Sequence, residues 1–207
     1  MEEGLATYVE PLSRARTGLI PGEQVWSELL DGLPKGLPGA GDRGLDRTPT
    51  WGRTYWGGAL FWFLADVEIR RRTSGRRGLD DALRAIVAEG GTLGQLWIVE
   101  RVIATADRAV GAPVLRDLYR KMATSPAPVD LDALWRSLGV RRDEGRISFD
   151  EAAPLAWVRR AITATESAAR APPPGAAAAE EPHGGSSHLT SHLGTDLTLS
   201  RGTEYES

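Results

Sequence analysis

The chain has no cysteine among its 207 residues, which excludes disulfides, thiolate metal sites and a cysteine nucleophile. Long apolar runs are missing as well. The best, residues 59–65, falls far short of the roughly 18 residues that a membrane helix needs. Neither sign of charge dominates: the net charge is -3, too small to suggest a nucleic-acid or membrane-surface partner. The opening Met1-Glu2-Glu3-Gly4 is acidic and has no apolar stretch of the signal-peptide kind, so no export signal is read in it. That leaves the localisation open.

Histidine is scarce, and its three copies, His183, His188 and His192, all stand late in the chain. No Ser-His-Asp or Cys-His set can therefore form in the part before them. His188 and His192 have the i, i+4 spacing that puts two imidazoles on one helix face. The glutamate that acts as general base in H-E-x-x-H is absent between them, and the neighbouring residues do not favour a helix. The bland reading, two histidines in a low-complexity tail, is preferred. Gly39, Gly41 and Gly44 with Arg43 lack the strand before and the lysine-bearing helix start after that a phosphate loop requires.

What is present is an ordinary globular balance, 41% hydrophobic and 26% charged, with seven tryptophans between Trp26 and Trp157. Side chains of that size bury large areas, so this stretch should hold a real core. The composition changes near Thr165. From Glu166 onward there are six acidic residues and two arginines, a net of -4, which leaves about +1 for the rest of a chain whose total is -3. Rich in Ala, Gly, Pro and Ser and poor in large apolar residues, that segment cannot offset the entropy of ordering. We read two parts: a helical domain over residues 1–164 and a disordered tail over residues 165–207.

Before the tail the periodicity is helical. Leu5, Tyr8, Val9 and Leu12 make one stripe, and Val25, Trp26, Leu29 and Leu30 a second. Residues 33–50 read as a long Gly/Pro loop, functional or mobile. Residues 53–72 read as a central helix whose first half is apolar on every face, the mark of a buried helix. Arg70, Arg71 and Arg72 complement the negative end of its dipole. Further stripes follow at Leu79, Leu83, Ile86 and Val87; at Leu96, Val99, Ile103 and Ala106; at Val114, Leu115, Leu118 and Met122; and at Leu131, Leu134, Trp135 and Leu138. Only residues 145–149 hint at extended structure. The fold class is all-α.

Two short stretches carry chemistry by resemblance. Glu2-Glu3-Gly4-Leu5-Ala6-Thr7-Tyr8 is similar to the W-x-x-E-G-x-A-x-Y segment of gluzincin metallopeptidases, the superfamily of thermolysin and the zinc aminopeptidases. Arg53-Thr54-Tyr55-Trp56-Gly57-Gly58-Ala59-Leu60 resembles their aminopeptidase Y-x-x-G-A motif. The stretch from Ala65-Asp66-Val67-Glu68 through Gly78-Leu79-Asp80-Asp81 looks like the glycyl aminopeptidase branch. The resemblance covers residues 1–163, and it implies the helical C-terminal subdomain of a thermolysin-like peptidase. By position it makes Glu3 the third zinc ligand and Tyr55 the hydroxyl that stabilises the oxyanion. Gly57 and Gly58 would let another backbone pack closely against the start of the tyrosine-bearing helix.

The same resemblance implies zinc as cofactor and a peptide as substrate in full-length relatives. A catalytic zinc takes three protein ligands and an open water position, and H-E-x-x-H should lie roughly twenty residues before Glu3. Only two residues precede Glu3 here. The expectation is therefore a peptidase portion that is inactive alone and binds no zinc alone. The alternative is a non-catalytic all-α interaction module. Tyr55, Trp56, Trp62 and Phe63 sit on a helix apolar all round, so an exposed docking face and self-association are expected as well.

Overall fold

The computed structural model describes residues 1–92 and 94–165. The histidines and the acidic tail read from the sequence lie outside the described residues, apart from Thr165 at its start. Eight α-helices and one hairpin make up the described part: α1 (Glu2–Arg16), α2 (Gly22–Gly32), α3 (Gly58–Arg72), α4 (Leu79–Ala88), α5 (Val99–Val110), α6 (Val114–Met122), α7 (Leu131–Leu138) and α8 (Ala156–Thr163), with β1 (Val140–Asp143) and β2 (Arg146–Phe149) between α7 and α8. A 3-10 turn, Leu33–Gly36, extends α2, and a π-helical turn, Gly52–Gly57, leads into α3.

Most of the residues that the periodicity marks are buried or half-buried, an exception being Val87 of α4, which is 60% exposed. On α1, Gly4, Tyr8, Pro11 and Leu12 are buried, with Glu2 and Glu3 in the first turn and Arg14 and Arg16 in the last, as the dipole favours. Capping sets the boundaries of others. Asp130 accepts the Ala133 amide at 2.8 Å to start α7, and Asp81 accepts the Gly78 amide at 2.9 Å to start α4. Gly111 and Gly139, both left-handed, end α5 and α7.

The centre of the core is α3. Every residue from Gly58 to Phe63 is buried on it. Phe63 meets Tyr8 of α1 at 5.9 Å, Trp26 of α2 at 6.2 Å and Trp135 of α7 at 5.6 Å between ring centroids. One ring thus ties three helices to the central one. Phe63→Ala should therefore cost about 3–5 kcal/mol, read from the urea midpoint at unchanged m-value.

Three expectations need correction, and a fourth is borne out and extended. Trp62 and Phe63 are covered by the chain's own elements, so their burial needs no docking partner; only Tyr55 and Trp56 are left half-exposed. Leu96 is not part of a helical stripe: α5 starts at Val99, and Leu96 is 97% exposed in a turn-rich stretch beside Gly94. The extended structure read at 145–149 is found as β2, and its unread partner β1 makes a two-stranded hairpin with it, Val140 pairing with Phe149 and Asp143 with Arg146. Its two-residue turn holds Glu144 and Gly145 at φ 49° and 80°, as a tight primed turn demands. The region 33–50 is neither loose nor uniformly loop. It opens with the 3-10 turn, and its Leu45 and Asp46 amides donate to the carbonyls of Met122 and Ala123 at 2.8 and 2.9 Å.

Tyr119 of α6 fastens the same loop by donating to Asp46 at 2.6 Å. Burial, and then the Asp46 carboxylate, push its phenol from 10.0 up to about 12. The folded state keeps the neutral phenol, so this stabilisation is whole below pH 10 and is lost as the pH rises towards 12. Tyr119→Phe should remove a late step from the 295 nm titration; an unchanged curve would contradict this.

Candidate functional site

The two residues singled out by sequence, Glu3 and Tyr55, line one pocket of about 390 Å³. What brings them together is backbone contact between small residues. A Cβ on Gly4 would lie 2.3 Å from the Gly58 backbone, and one on Gly58 would lie 2.8 Å from Gly4 Cα. No side chain fits there, so α1 crosses the start of α3 with backbones touching. Glu3 is thereby held beside the turn that carries Tyr55. Gly57 makes the second close approach, since a Cβ on Gly36 of the 3-10 turn would lie 2.3 Å from Gly57 N. The close packing expected at Gly57 and Gly58 is thus found at both, with a different partner for each.

The π turn has a further anchor that the sequence reading did not find. Arg53 is buried; its Nε lies 2.7 Å from Asp42 Oδ2, and its Nη1 donates to the Gly36 carbonyl. Asp42 Oδ1 in turn accepts the Gly44 amide at 2.8 Å. One guanidinium thus ties the Gly/Pro loop, the 3-10 turn and the tyrosine-bearing turn together. Removing either partner would leave a buried charge uncompensated. The available signal was an arginine at the head of an apolar helix, where the dipole disfavours a cation.

Around the pocket, Glu3, Thr7 and Glu10 come from α1 and Glu28 from α2, while Tyr55 and Trp56 come from the π turn. Trp51 stands over Tyr55 with ring centroids 5.9 Å apart and is 62% exposed. Lys35 Nζ sits 5.7 Å from the Trp56 ring centroid. Glu10 and Glu28 share Arg14, at 2.7 and 3.2 Å. Glu3 forms no ion pair among the described residues. Three carboxylates against the Arg14 guanidinium and the Lys35 ammonium leave the site with one net negative charge, and with an aromatic rim.

This arrangement suits a group that carries positive charge, and it offers one phenol as hydrogen-bond donor or acceptor. As a metal site it is incomplete. Among the described residues no cluster of three or more His, Asp or Glu side chains is gathered for an ion, and Glu3 can supply only one of the three ligands that a catalytic zinc takes. The described donor set by itself does not fit the metal.

No protein-family model matches the chain, and searches of curated proteins and of solved structures found no match either. The peptidase reading therefore rests on the two motifs and on the pocket they share.

Proposed function

We propose that the chain is the helical, C-terminal part of a zinc aminopeptidase, with Glu3 as one metal ligand and Tyr55 as the donor to the oxyanion of the tetrahedral intermediate. The observation that carries this reading is the shared pocket: two motif residues far apart in sequence line one cleft, held there by the glycines of their own motifs. Chance matches to two short motifs have no reason to converge in space. The negative, aromatic-rimmed cleft is also compatible with the free ammonium end of a peptide.

In this reading the histidine ligands and the general base belong to residues outside the sequence. Tyr55 needs to reach only the carbonyl oxygen, where its hydroxyl gives a hydrogen bond that strengthens as charge develops. Trp51 and Arg53 fix the turn it stands on.

The reading is tested at the DNA level and in solution. Translation in frame upstream of Met1 should reveal H-E-x-x-H roughly twenty residues before Glu3. The chain alone should retain no zinc after dialysis and hydrolyse no aminoacyl substrate. A stop codon directly upstream, with no such motif in any nearby frame, would sink the reading. It would leave the non-catalytic helical module, for which the burial of Trp62 and Phe63 within the chain itself speaks.

A further inference from the structure

A second cavity, of about 710 Å³, shares no lining residue with the Glu3–Tyr55 pocket. It opens where the end of α1, the α3–α4 turn, the start of α4 and the end of α8 meet. Five arginines line it: Arg16, Arg70, Arg76, Arg77 and Arg84. Against them stand Asp80 and Asp81 in the wall and Asp66 behind Arg70. Five guanidiniums face three carboxylates, which leaves two positive charges unmatched.

The arginines divide by what already holds them. Arg16 is spent on structure: Nε and Nη2 donate to the Ile162 carbonyl at 3.1 and 2.7 Å, and Nη1 donates to Asp80 at 2.7 Å. Arg70 is 8% exposed and gives its Nε to Asp66 at 2.9 Å. Its Nη2 is 3.6 Å from Asp80, too far for a hydrogen bond. Arg77 and Arg84 approach the same Asp81 at 3.3 and 3.6 Å, a loose sharing of one carboxylate. Arg76 has no carboxylate partner among the described residues. Four side chains thus keep unengaged N–H donors around one cavity.

The backbone is shaped to allow this. A Cβ on Gly78 would lie 2.5 Å from Arg70 Nη2, so a side chain there would push the Arg70 guanidinium aside from its place at the cavity. The turn is also fixed. Gly75, at φ 78°, donates to the Arg70 carbonyl at 2.8 Å, and the Arg77 amide donates to Thr73 Oγ1 at 3.1 Å. Convergent guanidiniums repel each other unless an anion lies between them, and their planar forks match the oxygens of a phosphate. The volume is that of a small-molecule site and well beyond a single ion.

We propose that this cavity binds a phosphorylated small molecule, with the phosphate held by Arg70 from the floor and by Arg76, Arg77 and Arg84 from the rim. The site is independent of the peptidase reading. The test is calorimetric titration of the full chain with inorganic pyrophosphate, alongside citrate as a carboxylate of similar charge. Pyrophosphate should bind in the millimolar range or tighter, more tightly than citrate, and more weakly as salt rises. Arg76→Ala should weaken it roughly tenfold to a hundredfold, as for lost charge-assisted hydrogen bonds. Because Arg76 is exposed and has no carboxylate partner among the described residues, the unliganded Tm should not move. Gly78→Ala, which displaces the Arg70 guanidinium, should weaken binding by a similar factor. No binding at low salt, equal affinity for citrate, or Arg76→Ala binding as the native chain does would each overturn the assignment.

Discussion

Alanine in place of Asp66 should destabilise the chain by about 3–5 kcal/mol. The carboxylate is 1% exposed and accepts three donors from three elements: the Tyr8 hydroxyl of α1 at 3.0 Å, Arg70 Nε of its own helix at 2.9 Å, and the Leu79 amide of α4 at 2.9 Å. Removing it leaves a guanidinium, a phenol and an amide buried without their acceptor. Each costs its full desolvation rather than the small net value of one hydrogen bond. Burial first, and then the negative charge of Asp66, push the Tyr8 phenol well above its ordinary value. Tyr8 is therefore a neutral donor throughout the working pH range. Denaturation of Asp66→Ala in urea measures the loss, and a change below about 1 kcal/mol, the scale of a single ordinary hydrogen bond, would mean that the network is dispensable.

The second large effect rests on the proposed peptidase reading and is read on a longer chain in which an H-E-x-x-H segment precedes Glu3. Tyr55→Phe removes one hydroxyl and keeps the ring against Trp51. Zinc content and folding should stay unchanged, while kcat and kcat/KM fall together by roughly 10²–10³, as for one lost oxyanion donor. Glu3→Ala should behave differently: metal occupancy falls, and activity falls with it. If the restored Tyr55→Phe enzyme kept near-full kcat on an aminoacyl substrate, Tyr55 would be a packing residue.

The helices were legible because burial in this fold follows the 3.6-residue period closely. Tyr8 and Leu12, or Trp26 and Leu29, can be read as core from spacing alone. The π turn was not. Gly52–Gly57 contains nothing that distinguishes a widened turn from an ordinary α turn. Strand β1 was hidden for another reason. Val140-Arg141-Arg142-Asp143 shows no alternation, because three of its four residues are exposed. Leu96 shows the opposite failure, a residue that fits the helical period but stands outside the helix.

The candidate site was half legible. Glu3 and Tyr55 came from motif resemblance, and their convergence came from packing. Asp42, Glu10 and Glu28 could not have been chosen in advance. A carboxylate in a Gly-rich loop or on a helix surface acquires meaning only from what lies across from it, which here is Arg53 and Arg14. The arginine-lined cavity is of the same kind. Arg76-Arg77 reads as a solvated charge pair until Gly78 is seen to admit Arg70 beside it.

The crossing of α1 and α3 has a consequence for inheritance. Gly4 belongs to one motif and Gly58 to the other, yet they are the two sides of one contact. Neither can acquire a side chain alone without driving the helices apart, and that displacement would separate Glu3 from Tyr55 even if both residues were kept. On the proposed peptidase reading, selection on Glu3 and Tyr55 would therefore be felt at two positions that perform no chemistry. Across relatives the glycines should be retained or lost together. A lineage that had abandoned the chemistry would be recognised first by drift at Gly4 and Gly58, before either functional side chain had changed.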